Sequence, residues 1–506
     1  MVCDYKLNLI FNRSSQGIIG VNNKLFTGIN EDFTHFKEQT KDKVVVMGYN
    51  TFTSLPGNKP INILRERLNV VITNNHYDIL IQKITESKDI LDILVYKTFD
   101  EFYSALLSGI LKNNSLMHKY IDILDIFIIG GSYLYDYVYD NYRVNMIYET
   151  LNDVNISIDN HEKDKITYFK RVIDENRFIK IYSKHSSDSI RVNSVSGDTK
   201  TIDGKYEINI YQNKEDVNFQ ELEYLKLLKD IYNNGIMKDS RNSRVTSIFS
   251  PPQMRFDLRK GFPLITTKKV AWKTVLRELL WFISGSTDNK VLQNKKVNIW
   301  TANSKKEYLE KIGLGDYREG ELGPIYGFQW RHFGAKYQGA DHDYTNQGVD
   351  QLEYIINLIK NDPTSRRIII NSWNANDLDK MALPPCHVMV QFNVDTNEGC
   401  IDAKLTQRSG DMFLGVPFNI ASYSFLLHII GNITGYKPRY FIHDIGDAHI
   451  YENHKEAILQ QIKRPSYSFP QLEIKNKLED IDNINENDFN VINYKHHTPI
   501  KATMIA

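Results

Sequence analysis

The stretch SRRIIINSWNANDLDKMALPPCHVMVQFNVD, Ser365 to Asp395, constrains this chain more than any other. At its centre Cys386 follows Pro384-Pro385 and precedes His387. A cysteine outside a disulfide is most often a small buried hydrophobe. Here the two prolines fix φ and remove two backbone donors, so the cysteine sits in a rigid turn rather than mid-strand. The run Val388-Met389-Val390-Gln391-Phe392 then reads as a strand, which puts the thiol at a strand's mouth. A reactive thiol acts as its thiolate, and neighbouring cations lower its pKa, so a basic side chain is expected close by in the fold. Arg366 and Arg367 lie upstream. Another source is Gln407-Arg408-Ser409-Gly410-Asp411, a polar turn by itself, at the end of the strand-like run Cys400 to Thr406.

Composition sets the outer bounds. A chain of 506 residues is too long for one ordinary core and suggests roughly two to four domains. With 42% hydrophobic and 25% charged residues and zero net charge, nothing in it announces a membrane or nucleic-acid partner. Any anion site must be a local cluster. Cys3, Cys386 and Cys400 make no CxxC pair, which fits a reducing compartment without structural zinc; no metal is expected. The start MVCDYKLNLIF has no long apolar stretch with a small-residue cleavage site, and no run approaches the roughly 18 apolar residues of a membrane span. The cytoplasm is the expected location.

Further along come Gly415-Val416-Pro417-Phe418-Asn419-Ile420-Ala421-Ser422-Tyr423 and Gly446-Asp447-Ala448-His449-Ile450-Tyr451. The ordered set SRR, LPPCH, QRSGD, GVPFNIASY and GDAHIY closely resembles the thymidylate synthase family across residues 219–506. The resemblance implies an α+β domain whose large sheet forms a homodimer interface. It implies Cys386 as the nucleophile toward dUMP. A phosphate cage would comprise Arg241 (Arg244 in reserve), Arg408 and Ser409, with Arg366 and Arg367 supplied by the other subunit. His449 and Tyr451 would meet the ribose, and Asn419 would read the uracil through its amide. Glu278 lies in the apolar run Arg277 to Phe282, where an isolated buried carboxylate is costly, which makes it a proton-relay candidate. Tyr326 and His387 would share that proton traffic. Trp300, Asn303, Asp411 and Phe418 would line the site of 5,10-methylenetetrahydrofolate, with Asp411 also at the dUMP end. The tail ending at Ala506 would close over bound ligands. Upstream, Phe219 to Asn234 has helical apolar spacing and precedes Gly235, a C-cap candidate.

The N-terminal part reads as alternating strands and helices. Tyr5 to Phe11, Lys43 to Gly48, Leu68 to Thr73 and Asp125 to Ser132 are strands; a helix starts near Asn30 or Glu31 and another spans Tyr49 to Leu55. Glycines 130 and 131 end a strand, where ligands bind in open α/β sheets. Tyr168 to Ile173 and Tyr206 to Tyr211 read as closing strands, with the polar stretch Ser183 to Gly204 as a long hairpin loop. The set IIGxNNKL, EDFxxFK, VVVMGYNTF, LNVVITNN and FIIGGSYLY resembles the dihydrofolate reductase family. That implies an α/β domain, a mixed, mostly parallel sheet flanked by helices. It implies Asp32 gripping the pterin, supported by Thr150, with Phe36 stacking on the folate and Arg67 meeting its carboxylate. Gly48, Thr51, Gly130, Gly131 and Tyr135 would line the NADPH site.

This half departs from the family pattern at four points. Phe26-Thr27 replaces the usual Pro-Trp, Tyr49 a basic residue, and Asn12 a small one. Two readings follow: a working reductase, or a synthase carrying a weakened reductase domain. A dCMP hydroxymethylase of the synthase fold is a further alternative, and Asn419 in place of an acid favours uracil over cytosine. The domains are expected at 1–213 and 219–506, joined by 214–218, as in the fused reductase–synthases.

Overall fold

The computed structural model describes residues 5–57, 61–87, 91–108, 125–157, 160–240 and 243–503. The chain divides into two compact units, Met1–Asp216 and Val217–Ala506.

The first unit is built on a nine-stranded sheet. In chain order its elements are β1 (Lys6–Ser14), β2 (Ile18–Val21), β3 (Lys24–Leu25), β4 (Thr27–Gly28), α1 (Asn30–Thr40), β5 (Val44–Gly48), α2 (Tyr49–Thr53), β6 (Leu68–Ile72), α3 (Tyr77–Glu86), β7 (Ile93–Tyr96), α4 (Phe99–Leu107), β8 (Asp125–Gly130), α5 (Ser132–Asn141), β9 (Val144–Asn152), β10 (Ile166–Tyr168), β11 (Phe178–Asn193) and β12 (Thr199–Asn213). The strand order is β4-β11-β12-β9-β1-β8-β5-β6-β7. From β9 to β7 every pair is parallel. Parallel strands are covered on both faces and so read as continuous apolar runs; Val44, Val45, Val46 and Met47 are all fully buried.

Two expectations fail here. Ser183 to Gly204 is strand, not loop: β11 and β12 pair without interruption from Ser183↔Asn209 to Asn193↔Thr199, and only residues 194–198 turn. Its polarity reflects one solvated face of an antiparallel pair. Ile190 and Val192 point inward against Val21, Phe26 and Ile29. Of Tyr168 to Ile173, only Tyr168 is in a strand, and β10 pairs with β2 in a separate small sheet.

The second unit contains α6 (Phe219–Asn234), β13 (Ile236–Asp239), β14 (Arg244–Phe249), β15 (Met254–Asp257), α7 (Trp272–Ile283), α8 (Asn289–Asn294), α9 (Lys306–Lys311), α10 (Tyr326–His332), α11 (Gln351–Asn361), β16 (Ile369–Asn371), β17 (His387–Asp395), β18 (Cys400–Asp411), α12 (Gly415–Thr434), β19 (Lys437–Tyr451), α13 (Lys455–Gln461), β20 (Gln471–Ile474) and β21 (Phe489–Ile492). The main sheet runs β13-β14-β19-β18-β17-β16, with β15 also on β19. Helix α12 is long and apolar enough to cross a membrane by length and composition, yet it is mostly buried, packed on β18, β19 and α7 as the core helix.

QRSGD is also strand rather than turn. β18 continues to Asp411, pairing in parallel with β19 from Ser409↔Asp447 to Asp411↔His449. Gly410 lets this happen: a Cβ there would lie 3.0 Å from Val416 Cγ2 and 3.2 Å from Ile445 Cγ2.

Gly235 follows α6 as expected, but with φ −68° it is extended, not left-handed. Space is what demands glycine there. A Cβ would meet the Ile231 carbonyl oxygen at 2.5 Å and Thr246 Cγ2 at 2.8 Å. Gly235→Ala should destabilise the second unit by about 1–3 kcal/mol, the usual cost of overpacking. Thermal melts of the variant and the parent chain would measure it.

Candidate active sites

Cys386 lies immediately before β17, half-buried, in the Pro-Pro turn. The turn is held from two sides. Tyr326 of α10 accepts the Cys386 N–H at 2.7 Å. From β18 the Arg408 N–H donates to the Cys386 carbonyl at 2.9 Å. The Arg408 guanidinium donates to the carbonyls of Pro385 (2.9 Å) and Pro384 (3.0 Å). Its carbon also stands 5.6 Å from the Trp373 ring centre. A fixed cation is therefore bound to the backbone of the turn that carries the thiol.

Behind the thiol is a buried polar chain. His443 Nε2 contacts Gln407 Oε1 at 2.8 Å, and Gln407 Nε2 donates to Asn419 Oδ1 at 3.0 Å and to the Ser409 carbonyl at 2.9 Å. Asn419, in the first turn of α12, is thus oriented by Gln407. Burial pushes His387 down to about 4, with the Asn419 contact working against it, and His443 down to about 3. Both imidazoles are neutral near pH 7. Sequence reading quoted Gln407 without giving it a role and did not single out His443; nothing local marks them, because their work is to orient a neighbour.

Glu278 of α7 is buried and accepts from Trp300 Nε1 at 2.8 Å. Burial lifts its pKa to about 7 against that hydrogen bond. A carboxyl poised there can give and take protons at neutral pH. Trp300 is buried among Trp281, Phe282 and Tyr326. Asn303 is buried with no hydrogen-bond partner for Nδ2 among the described residues. Such an orphan donor suits a polar ligand atom.

Asp411 ends β18 and is held in its ionised form. Burial alone would raise its pKa, but His454 and the Phe413 N–H more than offset that. Lys268 is buried over the Phe413 ring, and burial drops it to about 7. Phe418 is half-buried on α12, Ser409 is half-buried on β18, and His449 stands beside Tyr451 with ring centres 5.2 Å apart. Arg366 and Arg367 are exposed before β16, and no hydrogen bond ties their side chains to this cluster among the described residues. Arg244 pairs with Asp239 at the exposed β13–β14 end. Arg241 and Ala506 lie outside the described residues.

The first unit has a cavity of about 1720 Å³ at the C-terminal ends of its parallel strands. Asp32, Phe36, Gly48, Thr51, Arg67, Gly130, Gly131 and Tyr135 all line it. Thr150 Oγ1 donates to Asp32 Oδ1 at 2.6 Å, and Asn12 Nδ2 donates to Oδ2 at 3.0 Å. Desolvation by the surrounding protein raises the Asp32 pKa, and these two donors offset that only in part. Arg67 is mostly buried, donating to Thr40 Oγ1 at 2.8 Å, with its guanidinium 5.8 Å from the Phe36 ring centre. Tyr135 donates to the Ile10 carbonyl at 2.8 Å. A Cβ on Gly130 would come within 2.9 Å of Thr51 Oγ1, so this wall is open to close approach by a ligand only because it is glycine. The cavity is large enough for a ring system and a dinucleotide together, and the bare glycine wall fits the pyrophosphate of NADPH. Tyr49 stacks on His76, ring centres 3.9 Å apart.

These features define a two-unit enzyme, one unit with a candidate thiol nucleophile and a neutral-range acid, the other with a large cleft lined by a buried acid and a glycine wall. Residues 222–506 match the thymidylate synthase family and residues 6–194 the dihydrofolate reductase family. The chain is 38% identical over 510 residues to bifunctional dihydrofolate reductase-thymidylate synthase 2 of Arabidopsis thaliana, covering 96% of this chain and 86% of that one. It is 36% identical over 507 residues to the bifunctional dihydrofolate reductase-thymidylate synthase of Paramecium tetraurelia, covering 100% of each. Over 284 residues it is 51% identical to thymidylate synthase of Homo sapiens, covering 56% of this chain and 90% of the human one. The chain belongs to the bifunctional dihydrofolate reductase–thymidylate synthase family. It is an enzyme of two activities, methylating dUMP and reducing dihydrofolate with NADPH.

The raised pKa of Glu278 has a stability consequence. The folded state holds this proton up to about 7, whereas the unfolded chain releases it near 4.5. Folding stability therefore falls as pH rises through that window and levels off above it. Compared with Glu278→Gln, the parent chain should lose about 3 kcal/mol between about pH 5 and pH 8. Denaturant unfolding at the two pH values measures the difference.

Proposed function

We propose that Cys386 attacks C6 of dUMP, with the residues around it in the following roles. The Arg408 guanidinium holds the turn that carries the thiol and meets the phosphate beside Ser409, Arg241 completing the cage from this subunit. His449 and Tyr451 hold the ribose. Asn419, oriented by Gln407, reads the uracil edge.

Addition of the thiolate to C6 makes C5 nucleophilic, which splits one difficult step into two. C5 then bonds to the methylene carbon of 5,10-methylenetetrahydrofolate. Loss of the C5 proton and release of tetrahydrofolate leave an exocyclic methylene. Hydride from tetrahydrofolate reduces it as the Cys386 sulfur departs, giving dTMP and dihydrofolate. Glu278 moves protons with Tyr326 and His387; His387, being neutral, acts by hydrogen bonding rather than as a cation. Trp300, Asn303, Asp411 and Phe418 hold the folate, and Asn303 Nδ2 is the donor waiting for it. The tail through Ala506 closes the site.

In the first unit NADPH supplies the hydride. Asp32 grips the pterin's N–H edge, Phe36 stacks on the ring, and Arg67 meets the folate carboxylate. Gly48, Thr51, Gly130, Gly131 and Tyr135 form the nucleotide wall. The synthase unit works as a homodimer in the cytoplasm, with Arg366 and Arg367 reaching the partner's phosphate.

The observation that carries the synthase assignment is the Arg408 side chain locked on the Pro384-Pro385 carbonyls beside Cys386. Cys386→Ala should abolish dTMP formation from dUMP while NADPH oxidation with added dihydrofolate continues. Asp32→Asn should do the reverse. Synthesis surviving in Cys386→Ala would refute the nucleophile. Mixing inactive Cys386→Ala with inactive Arg367→Ala should restore roughly a quarter of parental synthesis, because random exchange gives half hybrids with one intact site each. No recovery on mixing would exclude a shared phosphate site.

A further inference from the structure

Asn12 and Thr27, two of the positions where the first unit departs from its family's pattern, touch one another. Thr27 Oγ1 donates to Asn12 Oδ1 at 3.0 Å. Asn152 Nδ2 donates to the same oxygen at 2.9 Å, to Thr27 Oγ1 at 3.0 Å and to the Arg13 carbonyl at 3.1 Å. An amide's two ends are told apart only by their partners. Asn152 is settled by the backbone: its Oδ1 accepts the Val154 N–H at 3.2 Å, and its Nδ2 faces the Arg13 carbonyl. Asn152 must therefore donate toward Asn12, Asn12 must present oxygen to it, and the Asn12 nitrogen must face Asp32. Donor polarity passes from backbone to Asn152, to Asn12, to the Asp32 carboxylate.

We propose that Asn12 is a positioning residue of the reductase site, locked by Thr27 and Asn152 so that its amide fixes Oδ2 of the Asp32 carboxyl. The inference rests on the reading of Asp32 as the pterin-gripping acid. Thr150 on Oδ1 and Asn12 on Oδ2 take one lone pair of each oxygen, leaving one on each for a ligand with two adjacent N–H donors. Both donors favour the charged form against desolvation, so removing one raises the Asp32 pKa. Among the described residues, the neighbouring titratable groups have partners elsewhere. Tyr135 of α5 is held by the Ile10 carbonyl, and burial keeps it protonated. Glu31 turns to Lys184 and Tyr206, and the His35 ring lies against Tyr148. Lys24, Lys37, Arg65 and Arg67 line the same cavity.

Carbon-13 NMR of aspartate carboxyls in the full chain reads this directly, with Asp32 assigned by its absence in Asp32→Asn. Asn12→Ala should raise the Asp32 pKa by about one unit, the worth of a hydrogen bond to a charged group. Thr27→Val should move it part of the way, and the double variant no further than Asn12→Ala. NADPH oxidation with dihydrofolate should fall about tenfold in Asn12→Ala and recover in part in Asn12→Ser, which restores a donor. If Asn12→Ala does not fold, as circular dichroism would reveal, Thr27→Val carries the test. An Asp32 titration unmoved in the folded variants overturns the role of Asn12. Full NADPH oxidation in Asp32→Asn overturns instead the reading of Asp32.

Discussion

The synthase unit depends on the pairing of β17 with β18. One ladder places the Cys386 turn at the head of β17 and Arg408 on the strand beside it, with the Arg408 N–H on the Cys386 carbonyl. Because a strand alternates its faces, a slip of one residue would turn every one of these side chains to the other side. The parallel β18–β19 pairing extends the same register to Ser409, Asp411 and His449. Helix α12 then brings Asn419 against Gln407. The guanidinium's bonds to two proline carbonyls use acceptors that a rigid turn leaves free, so cation and thiol are fixed before any ligand arrives.

Four buried or half-buried acids are handled in different ways, and the difference is chemical. Glu221 accepts from the N–H groups of Thr266 and Thr267 and the Thr266 hydroxyl, a satisfied structural knot. Asp411 is held ionised by His454 and a backbone N–H. Asp32 has two side-chain donors and opens on the cavity, and burial still outweighs those donors and raises its pKa. Glu278 has a single donor among the described residues, Trp300, so burial wins and its pKa enters the neutral range. Buried acids are common; one partner short of satisfaction is what makes this one useful.

Local runs told most of the fold. The apolar strands Val44–Gly48 and Leu68–Ile72, the helix Phe219–Asn234 and the position of Cys386 at a strand's mouth were legible because burial on both faces, 3.6-residue spacing and a Pro-Pro turn are local properties. Polarity misled in two places. Ser183 to Gly204 and QRSGD look like loops, but one is a solvated hairpin face and the other a strand whose polar side chains point into a site. Gly235 was rightly placed as a C-cap, and the structure adds the reason for glycine there, crowding by Ile231 and Thr246.

The sequence by itself determined the two domain families and marked Cys386 as the candidate nucleophile and Asp32 as the candidate acid, because each rests on residue types in an ordered spacing. Tertiary structure decided what those groups experience. That Gln407 orients Asn419, that Trp300 donates to Glu278, and that Asn12, Thr27 and Asn152 close on Asp32 are all contacts between segments distant in the chain. A departure that looks unpaired in sequence, a polar Asn12 in a pocket, is paired in space by a second departure, Thr27. Hydrogen-bond satisfaction is a property of neighbours in three dimensions, and no one-dimensional pattern records it.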